Sequence, residues 1–389
     1  MNCLAIALTE HVGGLMLVGA AIAFYVASRA AADAVSEHAV AAPSPTRHAL
    51  AQWIAIACVC AVAVWLEHAE IAVGVIFSTA VAALSLHLGV TIASAPETRA
   101  RRSGHGFEVV VAQREGELAA VAPAAIVMAQ PVRGSRAWAM VLPVGVLALI
   151  AGFSGKLTLV HALLFAVQGL LIMMVWDGSR QDASSPKARK RFSTGRWAQL
   201  VLATALALVG AVLAVYGAVR MSDETRIMST GLIASAALGP LLVLPMIGSA
   251  SLLASQGQAQ TAVGASVVMV LLNLCCLLPL VVLGWHMRQQ YLPPASPADA
   301  RAAVAPATTQ SISDDPSGDV EPLSEGDTPP VLSFPIAVWR IDTVLLILLG
   351  LILLPVSLNL WEMRRLDGML LIIIYACYLV GTTILGRRW

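Results

Sequence analysis

The stretch Glu70-Ile-Ala-Val-Gly74 returns 190 positions later as Gln260-Thr-Ala-Val-Gly264, and that offset is close to half of the 389 residues. Self-similarity at a fixed offset constrains an architecture before any single element is assigned. The same shift carries the apolar run 4–28 onto 194–218. Working outward, hydropathy marks ten apolar runs: 4–28, 49–66, 70–92, 137–153, 157–176, 197–219, 227–254, 261–286, 337–357 and 368–386. Each copy then holds five spans. Five is odd, so the second copy must cross a bilayer in the opposite sense to the first, which makes the pair an inverted repeat.

Composition agrees with this reading. The chain is 58% hydrophobic and 12% charged, with a mean hydropathy of +0.80, whereas a soluble globular chain carries roughly a quarter charged residues. A soluble enzyme and a disordered protein are both excluded. Leu200 to Val219 contains no charge, and about twenty such residues span a bilayer as a helix. Open strands would leave backbone groups unpaired in lipid, and the runs are too long and continuous for the alternating strands of a barrel. The expected fold class is all-α: a polytopic membrane protein of about ten transmembrane helices.

Lys+Arg 24 against Asp+Glu 23 gives no basic surface for a nucleic-acid partner, so distribution matters more than sum. Placed on alternating sides of ten spans, sixteen of the basic residues fall on the side that holds 177–196, where Lys187, Arg189, Lys190 and Arg191 cluster. The positive-inside rule makes that segment a cytoplasmic linker and puts both termini on the non-cytoplasmic side of a cell (inner) membrane. The domain reading is a first repeat over 1–176, the linker 177–196, and a second repeat over 197–389. A segment over 287–336, with eight prolines from Pro293 to Pro330 and seven acidic residues from Asp299 to Asp327, interrupts the second repeat as a disordered loop. The connection 93–136 is left unassigned. The first run lacks a basic leader and contains Glu10 and His11, so it is expected to be a retained span rather than a cleaved signal. Six cysteines lie in or beside apolar runs with no framework or metal-site spacing. No metal site and no cofactor are expected, and no nucleophile motif points to an enzyme.

Glu70 to Gly74, followed by Leu84 to Gly89, resembles the first alpha repeat of the sodium/calcium exchanger family, in the calcium/cation antiporter superfamily. The second copy is similar through Pro245, Gly257, Ala262-Val263-Gly264 and Asn273, and Asp367 to Tyr375 with Tyr378 resembles the family's last span. The alpha repeats would lie at about 51–90 and 241–281. The resemblance implies a secondary cation transporter that works by alternating access, with sodium, calcium or a proton as its small-cation partner and the lipid bilayer around it. Inverted-repeat transporters bind near the midplane at the repeat interface.

Counted from the Ala-x-Gly anchors, the family's two acidic calcium ligands fall on Ile56 and Met246, and the hydroxyl positions before them on Gln52, Trp53, Leu242 and Val243. The final Asn of each motif is Ala83 in the first copy and Asn273 in the second. Thr79 and Asn273 survive as side-chain oxygen ligands, with Pro245 a helix interruption, together with Pro240, that frees backbone carbonyls. Calcium takes six to eight oxygens, carboxylates among them, so a high-affinity calcium site is not expected at the inherited position. The intramembrane ionisable residues singled out are Glu10, His11, His87 and His161, of which His87, one turn beyond Ala83, is the proton-linked candidate. Glu67 and Glu70 read as a helix end and a helix start. The alternative to transport is a membrane scaffold that keeps the exchanger fold without a working ion site.

Overall fold

The structure, a computed structural model, describes residues 12–36, 45–95, 98–103, 106–111, 136–153, 155–178, 194–225, 228–256, 258–291, 332–333, 336–358, 360–361 and 363–386. Among the described residues ten helices of eleven residues or more follow one another: α1 Val12–Ser36, α2 Pro45–Trp65, α3 Ala69–Ser94, α4 Val141–Ala151, α5 Leu159–Gly178, α6 Thr194–Thr225, α7 Thr230–Ser255, α8 Ala259–Tyr291, α9 Ile336–Ser357 and α10 Arg365–Gly386. Eight of them are long and apolar enough to cross a membrane, while α4 and the apolar part of α5 are shorter. A hairpin of β1 (Thr98–Ser103) and β2 (Gly106–Val111) follows α3. A two-residue bridge joins β3 (Lys156–Leu157) to β4 (Leu332–Ser333), just ahead of α9.

Each of the ten expected spans contains a helix among the described residues, but several helices run past the apolar limits. Helix α1 ends at Ser36 rather than 28, α6 covers 194–225, and α8 reaches Tyr291, five residues into the segment read as loop. Hydropathy marks what lipid covers, whereas good helix formers such as the Ala30-Ala31-Ala32 run carry the backbone onward into polar surroundings. Glu10 and His11, the linker core 179–193 and the acidic segment 292–331 lie outside the described residues.

The inversion is visible in the packing. Helices α1 and α6 are repeat mates and lie antiparallel: a Cβ on Gly13 would meet Gly217 O at 3.1 Å, while Gly210 faces the Phe24 ring. Small residues of this kind let membrane helices approach closely where no hydrophobic effect drives them together. Mates α4 and α9 also run antiparallel, Gly145 on Ile347 and Gly350 on Leu142. Contacts between non-mates recur with the copies exchanged. A Cβ on Gly74 of α3 would meet Ser235 Oγ of α7 at 3.2 Å, and one on Gly264 of α8 would meet Pro45 of α2 at 3.0 Å. Gly74 and Gly264 share the 190-residue offset, and so do Pro45 and Ser235. In the same way α10 presses on α3, Gly368 against Gly89, and α5 presses on α8, Gly169 against Cys275. Helix α3 is buried along almost all its length. It and α8 form the centre, with α1, α5, α6 and α10 presenting large exposed apolar side chains such as Leu15, Leu163, Val209 and Ile373 to lipid.

Candidate functional site

The two central helices each contain one widened π turn, Ala83–His87 in α3 and Asn273–Leu277 in α8, again 190 positions apart. A third, Ala234–Leu238, lies in α7. A π turn holds one residue more than an α turn and loosens the backbone ladder, and such turns occur frequently at functional sites. The two related turns open on Ala83 and Asn273, the positions that end the alpha-repeat motif. Sequence reading finds the positions but not the turns, since no residue type announces an i→i+5 bond.

At mid-depth a buried polar contact joins the repeats. Asn273 Nδ2 donates to Thr79 Oγ1 at 2.8 Å, and the Thr79 hydroxyl donates in turn to Val75 O at 2.6 Å. Both side chains are fully buried. Thr79 lies ten residues into α3, about 15 Å from its start at 1.5 Å per residue, half of a roughly 30 Å hydrocarbon core. Asn273 Oδ1 is buried with no protein partner, and an unpaired buried amide oxygen costs on the order of 1–3 kcal/mol. The structure brings together the two residues that the sequence singles out as side-chain oxygen ligands.

About two turns further along α3, His87 shares a 2.5 Å hydrogen bond with Ser266 of α8, while Thr91 Oγ1 donates to His87 O at 2.8 Å. The other ring nitrogen of His87, Nε2, is buried without a partner. Between α2 and α7 a second polar cluster forms: Gln52 Nε2 donates to Ser249 Oγ at 3.2 Å, and Ser249 Oγ lies 3.1 Å from His48 Nε2. Gln52 Oε1 and Ser235 Oγ are buried and unpartnered. The positions aligned with the acidic ligands, Ile56 and Met246, are 1% and 0% exposed in the apolar core. The site therefore offers neutral oxygens and imidazole nitrogens from α2, α3, α7 and α8. Among the described residues no group of three His, Cys, Asp or Glu is placed to hold a metal ion.

Other expected positions fall elsewhere. Pro245 contributes its carbonyl, 3.4 Å from Ser249 Oγ, which also donates to Met246 O at 2.9 Å. Pro240 lies in the first turn after the π turn of α7. His161 accepts from the Thr158 backbone N–H at 3.2 Å and belongs to the start of α5. Glu67, at φ 68, ends α2 and pairs with Arg288 at 2.6 Å. Glu70 opens α3, where it accepts from Thr230 at 3.0 Å. Missing from the sequence reading are His48, Ser249, Ser235, Ser266 and Asp342. The last had a signal, a carboxylate inside the run 337–357; the serines had none, because hydroxyls are common on membrane helices. A cavity of about 540 Å³ between α2 and α8, lined by Trp53, Cys60, Trp65, Leu277 and Tyr291, is apolar.

No family model matches the chain, and no curated protein matches it by sequence. Solved structures do. The H+/Ca2+ exchanger CAX is similar at 10% identity and a TM-score of 0.60, over 98% of this chain and 85% of that one. The sodium-calcium exchanger NCX_Mj, soaked with Na+ and Sr2+, is similar at 12% identity and a TM-score of 0.51, over 98% of this chain and 99% of that one. At such identities the likeness is one of fold, and it covers nearly the whole chain. With ten helices among the described residues, two opposed five-helix copies and these neighbours, the chain is a multi-pass membrane protein with the fold of these two solved structures.

Proposed function

We propose that the chain is a secondary transporter that exchanges a small monovalent cation, sodium or a proton, by alternating access at the crossing of α3 and α8. The observation that carries this reading is the Thr79–Asn273 bridge, which joins the two repeats at mid-depth and leaves Asn273 Oδ1 unpartnered. Taking even one ion out of water costs several kcal/mol in a real protein. Neutral oxygens can offset part of that for a monovalent ion, but a divalent ion needs the carboxylates that Ile56 and Met246 replace. Polar groups from both repeats, His87 with Ser266 and Gln52 with Ser249, flank the bridge. The solved neighbours are exchangers of H+, Na+ and Ca2+, which supports cation exchange as the activity of this fold here too.

In this reading 1–176 and 197–389 are the two moving repeats, 177–196 is a cytoplasmic linker of a cell membrane, and both termini lie outside. The test is flux in vesicles containing the purified chain under imposed sodium, proton or calcium gradients. Sodium- or proton-driven flux that is lost in Asn273→Ala, with calcium neither moved nor competing, is the expected result. Absence of flux under every gradient overturns it in favour of a second reading, a membrane scaffold that keeps the fold without ion exchange. The burial of Ile56 and Met246 in continuous apolar packing is the observation that favours the scaffold.

A further inference from the structure

We infer that Asp342, with Tyr378 and Tyr375, forms a proton-binding site within the second repeat, separate from the crossing of α3 and α8. Among the side chains described, Asp342 is the one buried carboxylate, at 1% exposure. It lies six residues into α9, about 9 Å from the helix start, inside the apolar stretch Trp339–Ser357. Tyr378 of α10 donates its hydroxyl to Asp342 Oδ1 at 2.7 Å. Tyr375, one turn earlier on α10, stacks its ring 5.8 Å from that of Tyr378. It is 3% exposed, and its hydroxyl has no partner.

The charges around the carboxyl leave the task to a proton. On its own helix Arg340 is exposed and lies over the Phe153 ring, 5.7 Å from its centroid. Helix α4, packed against α9, has no ionisable residue, and Arg136 opens the short turn Arg136–Ala139 ahead of it. On α3, Glu70 is held by Thr230 and His68, and His87 by Ser266. On α10, Arg365 bonds Ala95 O and Asp367 bonds the Arg364 backbone N–H. A charged group at membrane depth is costly without a partner. A metal cation would find one carboxylate and two phenols, too few oxygens for its shell. A proton needs one oxygen and turns the carboxylate into a neutral group with a donor of its own. The step is balanced by one proton from water, the carboxylate passing from one negative charge to none.

The site is also placed to be felt elsewhere. Trp339, one turn before Asp342, packs its ring against that of Phe77 of α3 at a tilt of 53°, with centroids 4.1 Å apart, and donates to Ala148 O at 3.1 Å. Phe77 precedes Thr79 by two residues.

The experiment is infrared difference spectroscopy of the full chain in lipid nanodiscs, between acidic and alkaline buffer, in H2O and D2O. A protonated carboxyl carbonyl band that titrates, shifts in D2O, disappears in Asp342→Asn and moves in Tyr378→Phe is the expected result. A wild-type chain without such a band, or a band unchanged in Asp342→Asn, overturns the inference. Should Asp342→Asn fail to fold, Tyr378→Phe decides: an unmoved band and midpoint count against the site, a moved band for it. Since the readout needs no flux, a chain that shows the band but moves no ion keeps this site and discards only the transport reading.

Discussion

Asn273 has an amide that can make up to four hydrogen bonds, and the fold gives its side chain one protein partner, Thr79 of the opposite repeat. Interhelical hydrogen bonds in membranes are modest because the unfolded chain in lipid also finds partners. A double-mutant cycle of Asn273→Ala and Thr79→Val should therefore give a coupling of about 0.6–2 kcal/mol in unfolding from mixed micelles. A coupling indistinguishable from zero would show that the two side chains do not meet. If the proposed transport reading holds, ion flux should respond far more than stability. The pair was legible in the sequence because residue types at a counted spacing are enough to single out the two positions. Its immediate surroundings were not: Ser266, Ser249 and His48 owe their roles to which helix faces which, and one chain's order of residues does not state that.

At the scale of the element, the π turns carry the argument. A π turn arises when one extra residue is absorbed locally, so the helix beyond it keeps its facing. Deleting Leu84 from the turn in α3 should restore an ordinary helix and leave His87 facing Ser266. Deleting Ile76, outside the turn, should rotate the rest of α3 by about 100° and expose its buried face. The first variant is expected to run as a single species in size-exclusion chromatography with a melting temperature within several degrees of the parent; the second is expected to aggregate. Equal behaviour of the two would argue against a widened turn at Ala83–His87. Helix ends were legible only to within a turn or two, as with α1 and α8, because propensity carries helices beyond the apolar stretch that hydropathy detects. Asp342 shows the opposite case: its signal is present in the sequence, yet only the structure puts the Tyr378 hydroxyl upon it.

For the whole molecule, the internal offset was the decisive legible feature. The same 190 positions relate Gly74 to Gly264, Pro45 to Ser235 and Ala83 to Asn273, and the packing obeys each correspondence. The proposed orientation relative to the cell rests instead on the sixteen basic residues that the sequence reading assigns to one side. Fusion of a periplasm-active phosphatase to the C-terminus should give activity, whereas fusion after Arg191 should give none; the reverse pattern would turn the molecule over. The contact of Gly89 with Gly368 has a mechanical meaning at this scale. A Cβ on either glycine would lie 2.7 Å from the other's carbonyl oxygen, so main chain bears on main chain with no side chain between to yield. Helices α3 and α10 are thereby expected to move as one unit in any tilting of the bundle.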